Sequence, residues 1–430
     1  MSPRPRSLSL ALILWLNAAT LLAQALPEGD PRQLGFSPDR LDRIGRVMQD
    51  YVDSGRVAGV VTLVARHGQI AYLRAFGWAD REAGIRMAPD ALFRIASQTK
   101  ALTSVAVMAL VEEGRLRLSD PVATYLPSFA NSRVAILTDT GRALVPANRA
   151  ITIRDLLTHT AGISYGTDSL VRDLYAAQGL GPAAGFGWYF ADKKEPICAS
   201  MDRLGSLPFV AQPGKRWVYG YNTDILGCVV ERVSGMTLAE FFRQRITEPL
   251  GMTSTWFYVP RAQRARLTAV YAATADGGYR RAPDTPRGQG DYLDGPRLSY
   301  SGGAGLIATA GDYAVFLQML LDQGRLRGRQ ILAPATVSLM TTNQVDTLFS
   351  RRGTGFGLGF QTLDDPGLAG QYGGAGVFSW GGAYASTYWV DPANDLVAVF
   401  MIQLIPARGL DLSDKFRTLV YQAMVEDYRP

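Results

Sequence analysis

Apolar positions recur along this chain with two different periods, and the two periods occupy different stretches. Leu41, Ile44, Met48 and Tyr51 are spaced three or four apart. That spacing predicts an amphipathic helix, with Ser37 as its cap and Pro38 in its first turn. Two apolar runs follow, 60–66 and 69–77, joined by His67-Gly68. They predict a β-hairpin, in which His67 is a turn residue. Positions 97–113 are apolar on almost every side and end at Gly114, the pattern of a helix buried in a core. Thr152, with Asp155 three residues on, marks another helix start. Residues 163–212 are irregular and rich in glycine and aromatics, among them Tyr165, Phe186, Trp188, Tyr189 and Phe190. Helices are then expected near 223–233, 237–246, 310–323 and 412–428. Strands are expected at 356–363, 384–390 and 396–403, with Asp391-Pro392-Ala393-Asn394-Asp395 as the turn between the last two.

Strands at both ends and helices between them predict an α+β fold. Short hairpin connections make the pairing antiparallel. The simplest architecture is one antiparallel sheet of five or more strands, flanked by the terminal helices, with a mainly helical subdomain inserted. The sequence contains no internal repeat and no low-complexity linker. It therefore reads as one unit of two lobes, an α/β lobe over 26–96 plus 300–430 and a helical lobe over 97–299.

Composition adds bounds rather than detail. With 47% hydrophobic and 19% charged residues, the 430-residue chain is globular. Five of its 44 basic residues are lysines, both signs are scattered, and no basic stripe points to a nucleic acid. Arg4 and Arg6 precede an apolar run over 8–22, and Ala23-Gln24-Ala25 supplies small residues for cleavage. Residues 1–25 thus read as a signal peptide cut after Ala25, leaving 26–430 as a secreted or periplasmic protein. An uncleaved anchor is the alternative; no later stretch is long and apolar enough to span a bilayer. In that oxidising compartment Cys198 and Cys228 either form one disulfide or remain two buried thiols, and their spacing does not decide between these. The only histidines are His67 and His159, and no CxxC occurs, so neither a metal nor a cofactor is expected.

Two serines invite a catalytic reading. Ser164 lies in Gly162-Ile163-Ser164-Tyr165-Gly166 and matches G-x-S-x-G. A nucleophile elbow needs a strand before that serine and a histidine after it in the chain. Here a helix precedes it and no histidine follows, so the match is a decoy. Ser97-Gln98-Thr99-Lys100 is stronger. Residues three apart share a helix face, so the amine can reach the hydroxyl and act as its base. The helix N-terminus adds backbone N–H groups for a developing oxyanion. Chance supplies S-x-x-K often enough; its weight comes from heading a buried helix. His159, at the end of the Thr152 helix, reads as a C-terminal capping residue rather than a catalytic one.

Phe93-Arg94-Ile95-Ala96-Ser97-Gln98-Thr99-Lys100 resembles the first motif of the serine β-lactamase and penicillin-binding-protein superfamily. Asp155-Leu156-Leu157-Thr158-His159-Thr160-Ala161-Gly162, Tyr300-Ser301-Gly302-Gly303-Ala304-Gly305-Leu306 and Trp389-Val390-Asp391-Pro392 resemble its class C-like branch, and within it the family VIII carboxylesterases. The likeness runs from about position 34 to 428. It implies that Tyr219, in Tyr219-Gly220-Tyr221-Asn222, is the general base or shares that role with Lys100. The family's Y-x-N is altered here, and Asn222 is the residue left to make the amide's substrate contact. The third motif, K-T-G in β-lactamases, corresponds to Trp380-Gly381-Gly382 as a substrate-binding edge. By the same resemblance the oxyanion hole is formed by the N–H groups of Ser97 and Ala383.

Trp380 provides neither the cation nor the hydroxyl that would hold a β-lactam carboxylate. The expected activity is therefore hydrolysis of small-molecule carboxylic esters through a Ser97 acyl-enzyme, with β-lactams at most weak substrates. A β-lactamase or D-alanyl-D-alanine peptidase using the same site is the first alternative. A non-catalytic binding protein on this scaffold is the second. The sequence does not fix an oligomeric state.

Overall fold

The computed structural model describes residues 25–181, 190–283, 290–349, 351–407 and 409–426. The proposed signal peptide up to Gln24 and the aromatic positions Phe186, Trp188 and Tyr189 lie outside them. One antiparallel sheet of eight strands dominates: β1 (Gly59–Arg66), β2 (Gln69–Asp80), β3 (Ile85–Arg86), β4 (Thr354–Phe356), β5 (Gln361–Leu363), β6 (Val377–Gly381), β7 (Thr387–Asp391) and β8 (Leu396–Ile402). Their spatial order is β4-β5-β6-β7-β8-β1-β2-β3, so the two chain ends meet at the β8–β1 pair.

That pair shows why the sheet forms. Every residue of β1 and β8 is buried. Val61, Leu63 and Ala65, with Val397, Val399 and Met401, enter the large inner core. Val60 and Val64, with Leu396, Ala398, Phe400 and Ile402, enter a second, outer core. The β period of two sends alternate residues to opposite faces, and both faces are covered. Strand pairs such as Val61–Met401 and Leu63–Val399 set the register.

Seven helices matter for the site: α1 (Pro38–Asp53), α2 (Thr99–Glu112), α3 (Ile153–Leu157), α4 (Ile197–Gly205), α5 (Asn222–Ser234), α6 (Ala310–Leu321) and α7 (Leu412–Ala423). The outer core is closed by α1 and α7, through Leu41, Ile44 and Met48 on one and Leu412, Phe416 and Val420 on the other. Helix α2 is buried from Thr99 to Leu110, as its all-round apolar pattern requires.

Several element boundaries depart from the sequence expectation. The stretch 356–363 is a hairpin, not one strand: Gly357 N–H bonds to the Phe360 carbonyl at 2.7 Å, and Gly359 takes φ 99° between β4 and β5. The strand expected from 384 begins at Thr387, behind a loop in which Ala385 has φ 67°. Helix α7 ends at Ala423. A hairpin over Arg133–Thr138 and Gly141–Pro146 has no counterpart in the sequence reading. Cys198 and Cys228 are joined, fastening α4 to α5, so they are not two free thiols. Among the described residues no helix is long and apolar enough to cross a membrane.

Candidate active site

The turn that carries Ser97 is tightly tied. Residues Ala96–Gln98 form one 3₁₀ turn ahead of α2, and Ala96 takes φ 45°, in the left-handed region that an alanine adopts only under constraint. The constraint is visible. Ile95 N–H bonds to the Leu306 carbonyl at 3.1 Å, and Leu306 N–H bonds back to Thr99 Oγ1 at 3.0 Å. Segment 300–306, remote in sequence, thus clamps the Ser97 turn from behind.

Lys100 is 2% exposed. Its Nζ lies 3.1 Å from Ser97 Oγ, 3.0 Å from the Tyr165 hydroxyl and 2.7 Å from the Gly303 carbonyl. An ammonium has three protons to donate, and three oxygens surround it. The Tyr219 ring centroid is 4.7 Å away, close enough for its π face to favour a positive charge. The lysine therefore meets the serine in a desolvated setting.

Tyr219 stands opposite. Its ring stacks on Trp217 at 5.6 Å and lies 4.9 Å from the His159 ring. Its hydroxyl oxygen accepts the Trp380 indole N–H at 3.2 Å. The next residue must be glycine: a Cβ on Gly220 would sit 2.2 Å from the Ile163 carbonyl. That close approach presses 219–221 against 163–165, so Tyr219 and Tyr165 flank Lys100 together, with ring centroids 5.6 Å apart. Burial, with Tyr219 and Asp224 adding to it, holds the Tyr165 phenol well above the usual tyrosine range. Tyr165 thus stays a neutral hydroxyl beside the lysine.

The third wall is the end of β6. A Cβ on Gly382 would come 2.5 Å from Ser386 Oγ and 2.6 Å from the Ile95 carbonyl. Only glycine lets this strand end reach the Ser97 turn. Ser97, Tyr165, Tyr219, Trp380, Gly381, Gly382 and Ala383 all line one cavity of about 930 Å³, which extends past Arg351 and Tyr372 to Arg417 on α7. A second groove of similar volume, about 920 Å³, contains none of these residues.

Asn222 does not join them. It is fully buried, and its amide donates to His159 Nδ1 at 2.9 Å and to the Val218 carbonyl at 3.2 Å. The expected substrate contact is corrected accordingly. One extra residue between Tyr219 and the asparagine carries the amide into the core instead of the cavity. Burial first, and the Lys100 charge second, hold His159 well below 6.5, so it is a neutral packing partner of Tyr219. Ser164 is likewise structural: its Oγ accepts the Gly166 N–H at 3.1 Å and shapes the turn that delivers Tyr165. The decoy motif therefore carries a cavity residue that the sequence reading did not single out, the tyrosine beside its serine. Among the described residues no cluster of three or more histidines, cysteines or carboxylates is placed to hold a metal.

Comparison with known proteins shows the family and the fold. The Beta-lactamase family model matches residues 44–419. The chain is 32% identical to esterase EstB of Burkholderia gladioli over 371 residues, covering 84% of this chain and 89% of that protein. It is 31% identical to lovastatin esterase of Penicillium rubens over 405 residues, covering 87% and 96%. Among solved structures, EstCE1, a hydrolase with promiscuous acyltransferase activity, superposes with a TM-score of 0.74 at 29% identity, over 89% of this chain and 99% of that one.

Proposed function

Because the chain belongs to the beta-lactamase family, with esterases among its relatives, we propose that it is a serine esterase cleaving small-molecule carboxylic esters through Ser97. The observation that carries this reading is the 3.1 Å contact between Lys100 Nζ and Ser97 Oγ at the floor of a substrate-sized cavity. As Ser97 Oγ attacks the ester carbonyl carbon, its proton passes to the lysine nitrogen. The carbonyl oxygen takes the negative charge and is met by the N–H groups of Ser97 and Ala383. Collapse of this intermediate breaks the bond to the alcohol oxygen, which leaves with a proton delivered through Lys100 and Tyr219. Water then attacks the acyl-enzyme by the same route in reverse, releasing the acid and restoring Ser97.

Trp380, Gly381 and Gly382 form the substrate edge. The indole presents an apolar face and gives its one N–H to Tyr219, so it offers a substrate carboxylate no cation. This supports the reading of an esterase of the family VIII type over a β-lactamase. The Cys198–Cys228 bond suits an oxidising compartment and supports export by the N-terminal segment.

The test is hydrolysis of p-nitrophenyl acetate and butyrate by the wild type and by Ser97→Ala, alongside one cephalosporin and a fluorophosphonate probe. Ester cleavage and probe labelling that vanish in Ser97→Ala, with slow cephalosporin turnover, are expected. Undiminished cleavage by Ser97→Ala would exclude the mechanism. Efficient cephalosporin turnover would move the protein to the β-lactamase reading.

A further inference from the structure

We infer that Asp224 is a positioning residue for Lys100, setting both its place and its charge through the turn at 301–304. This rests on the serine esterase reading above. Asp224 lies in the first turn of α5, 2% exposed. Its Oδ1 accepts from Ser301 Oγ at 2.5 Å and from Gly303 N–H at 3.1 Å. Ser301 Oγ in turn accepts the Ala304 N–H at 3.0 Å. The carbonyl of the same Gly303 takes the 2.7 Å hydrogen bond from Lys100 Nζ. A single residue, Gly303, therefore links the carboxylate, through its N–H, to the lysine's shortest acceptor, its carbonyl.

The seat is built for that turn. A Cβ on Gly303 would fall 2.5 Å from Asp224 Oδ2, and one on Gly302 would fall 2.6 Å from the Thr223 carbonyl. Two consecutive glycines let the turn lie directly on the helix start. A buried carboxylate is costly unless it is paired. Among the described residues Asp224 has no ion-pair partner within 4.0 Å, and Lys100 is the one cation acting on it. The ionisable groups facing the pair are Tyr165 and His159 from segment 158–166, and Tyr219 and Tyr221 ahead of α5; the turn at 301–304 contributes none. Tyr165, Tyr221 and His159 are held neutral by burial. Burial pushes the Asp224 carboxyl above the usual carboxylate range, and the Lys100 charge, Ser301 and Gly303 pull against it.

A carboxylate facing an amine favours the ammonium form. Acylation needs Lys100 unprotonated, so Asp224 sets the pH at which acylation switches on. The experiment compares the pH profile of fluorophosphonate labelling and of p-nitrophenyl butyrate kcat/KM in the wild type, Asp224→Asn, Asp224→Glu and Ser301→Ala. Thermal unfolding is followed for each. In Asp224→Asn the acid limb should move to lower pH by about one unit or more. Asp224→Glu, which keeps the charge, should restore the limb toward its wild-type position. Ser301→Ala, which keeps the charge but loosens the turn, should lower kcat about tenfold with KM and the limb little changed. A superimposable profile in Asp224→Asn overturns the inference. If that variant does not fold, an unchanged kcat in Ser301→Ala overturns it. A wild type that cleaves no ester, or a Ser97→Ala that does, instead defeats the serine esterase reading itself.

Discussion

The indole N–H of Trp380 points at the hydroxyl oxygen of Tyr219, 3.2 Å away, and joins the sheet's end to the helical side of the cavity. In a K-T-G enzyme this place holds a cation that meets the substrate. Here the donor faces inward, toward a proposed catalytic group, and in the proposed mechanism it would stabilise negative charge developing on the tyrosine oxygen. Trp380→Phe keeps the aromatic wall and removes only this donor. A hydrogen bond to a charged group contributes about 1.5–3 kcal/mol, so kcat for p-nitrophenyl butyrate should fall roughly 10- to 100-fold with KM changed less than threefold. A fall confined to KM would instead mean that Trp380 only binds substrate.

Gly382 sits where β6 meets the nucleophile turn. An alanine there would put its Cβ within 2.6 Å of the Ile95 carbonyl and force the strand end away from Ser97. A displacement of about 1 Å between an oxyanion donor and its nucleophile is expected to cost on the order of 100-fold in rate. Gly382→Ala should therefore lose kcat/KM on that scale while its unfolding temperature drops by only a few degrees. Wild-type turnover in this variant would show that the backbone of this segment is not part of the catalytic geometry.

His159 gives a pH dependence with a definite sign. Its folded-state affinity for a proton is lowered from 6.5 by burial and by Lys100. The unfolded chain then binds a proton near pH 6.5 that the folded chain refuses. The stability this histidine contributes is complete above about pH 6.5 and is lost progressively as the pH falls below it. His159→Gln keeps an acceptor for Asn222 and removes the titration. The melting temperature, recorded from pH 8 to pH 5, should fall less steeply in the variant than in the wild type. Parallel curves would contradict the assignment of a buried, neutral imidazole.

The Cys198–Cys228 bond closes a loop with a sequence separation of 30 residues. By loop-closure entropy such a cross-link stabilises the fold by about 3–4 kcal/mol. Reduction, or Cys198→Ser with Cys228→Ser, should lower the urea midpoint accordingly while ester turnover at 25 °C is retained, because neither residue lines the cavity. Loss of turnover at unchanged stability would place α4 or α5 in the catalytic machinery more directly than the geometry does.

The sequence by itself determined the large features. Continuous apolar runs at 60–66 and 396–403 specified a sheet built from both ends of the chain, and the all-round apolar pattern of 99–110 specified a core helix with Ser97 and Lys100 at its head. These follow from local spacing, because the side chains that must share a face lie within a few residues of one another. Tertiary structure decided the rest. Tyr165 became a partner of Lys100 because Gly220 lets two loops, more than fifty positions apart in sequence, pack backbone on backbone. Asn222 turned away from the cavity because one more residue on a helix start rotates a side chain by about 100°. The Gly303 carbonyl reaches the lysine, and the Gly303 N–H reaches the Asp224 carboxylate, only when segment 300–306 folds behind α2. Spacing along the chain cannot reveal such contacts, since it constrains neighbours on one element and is silent about which elements close around them.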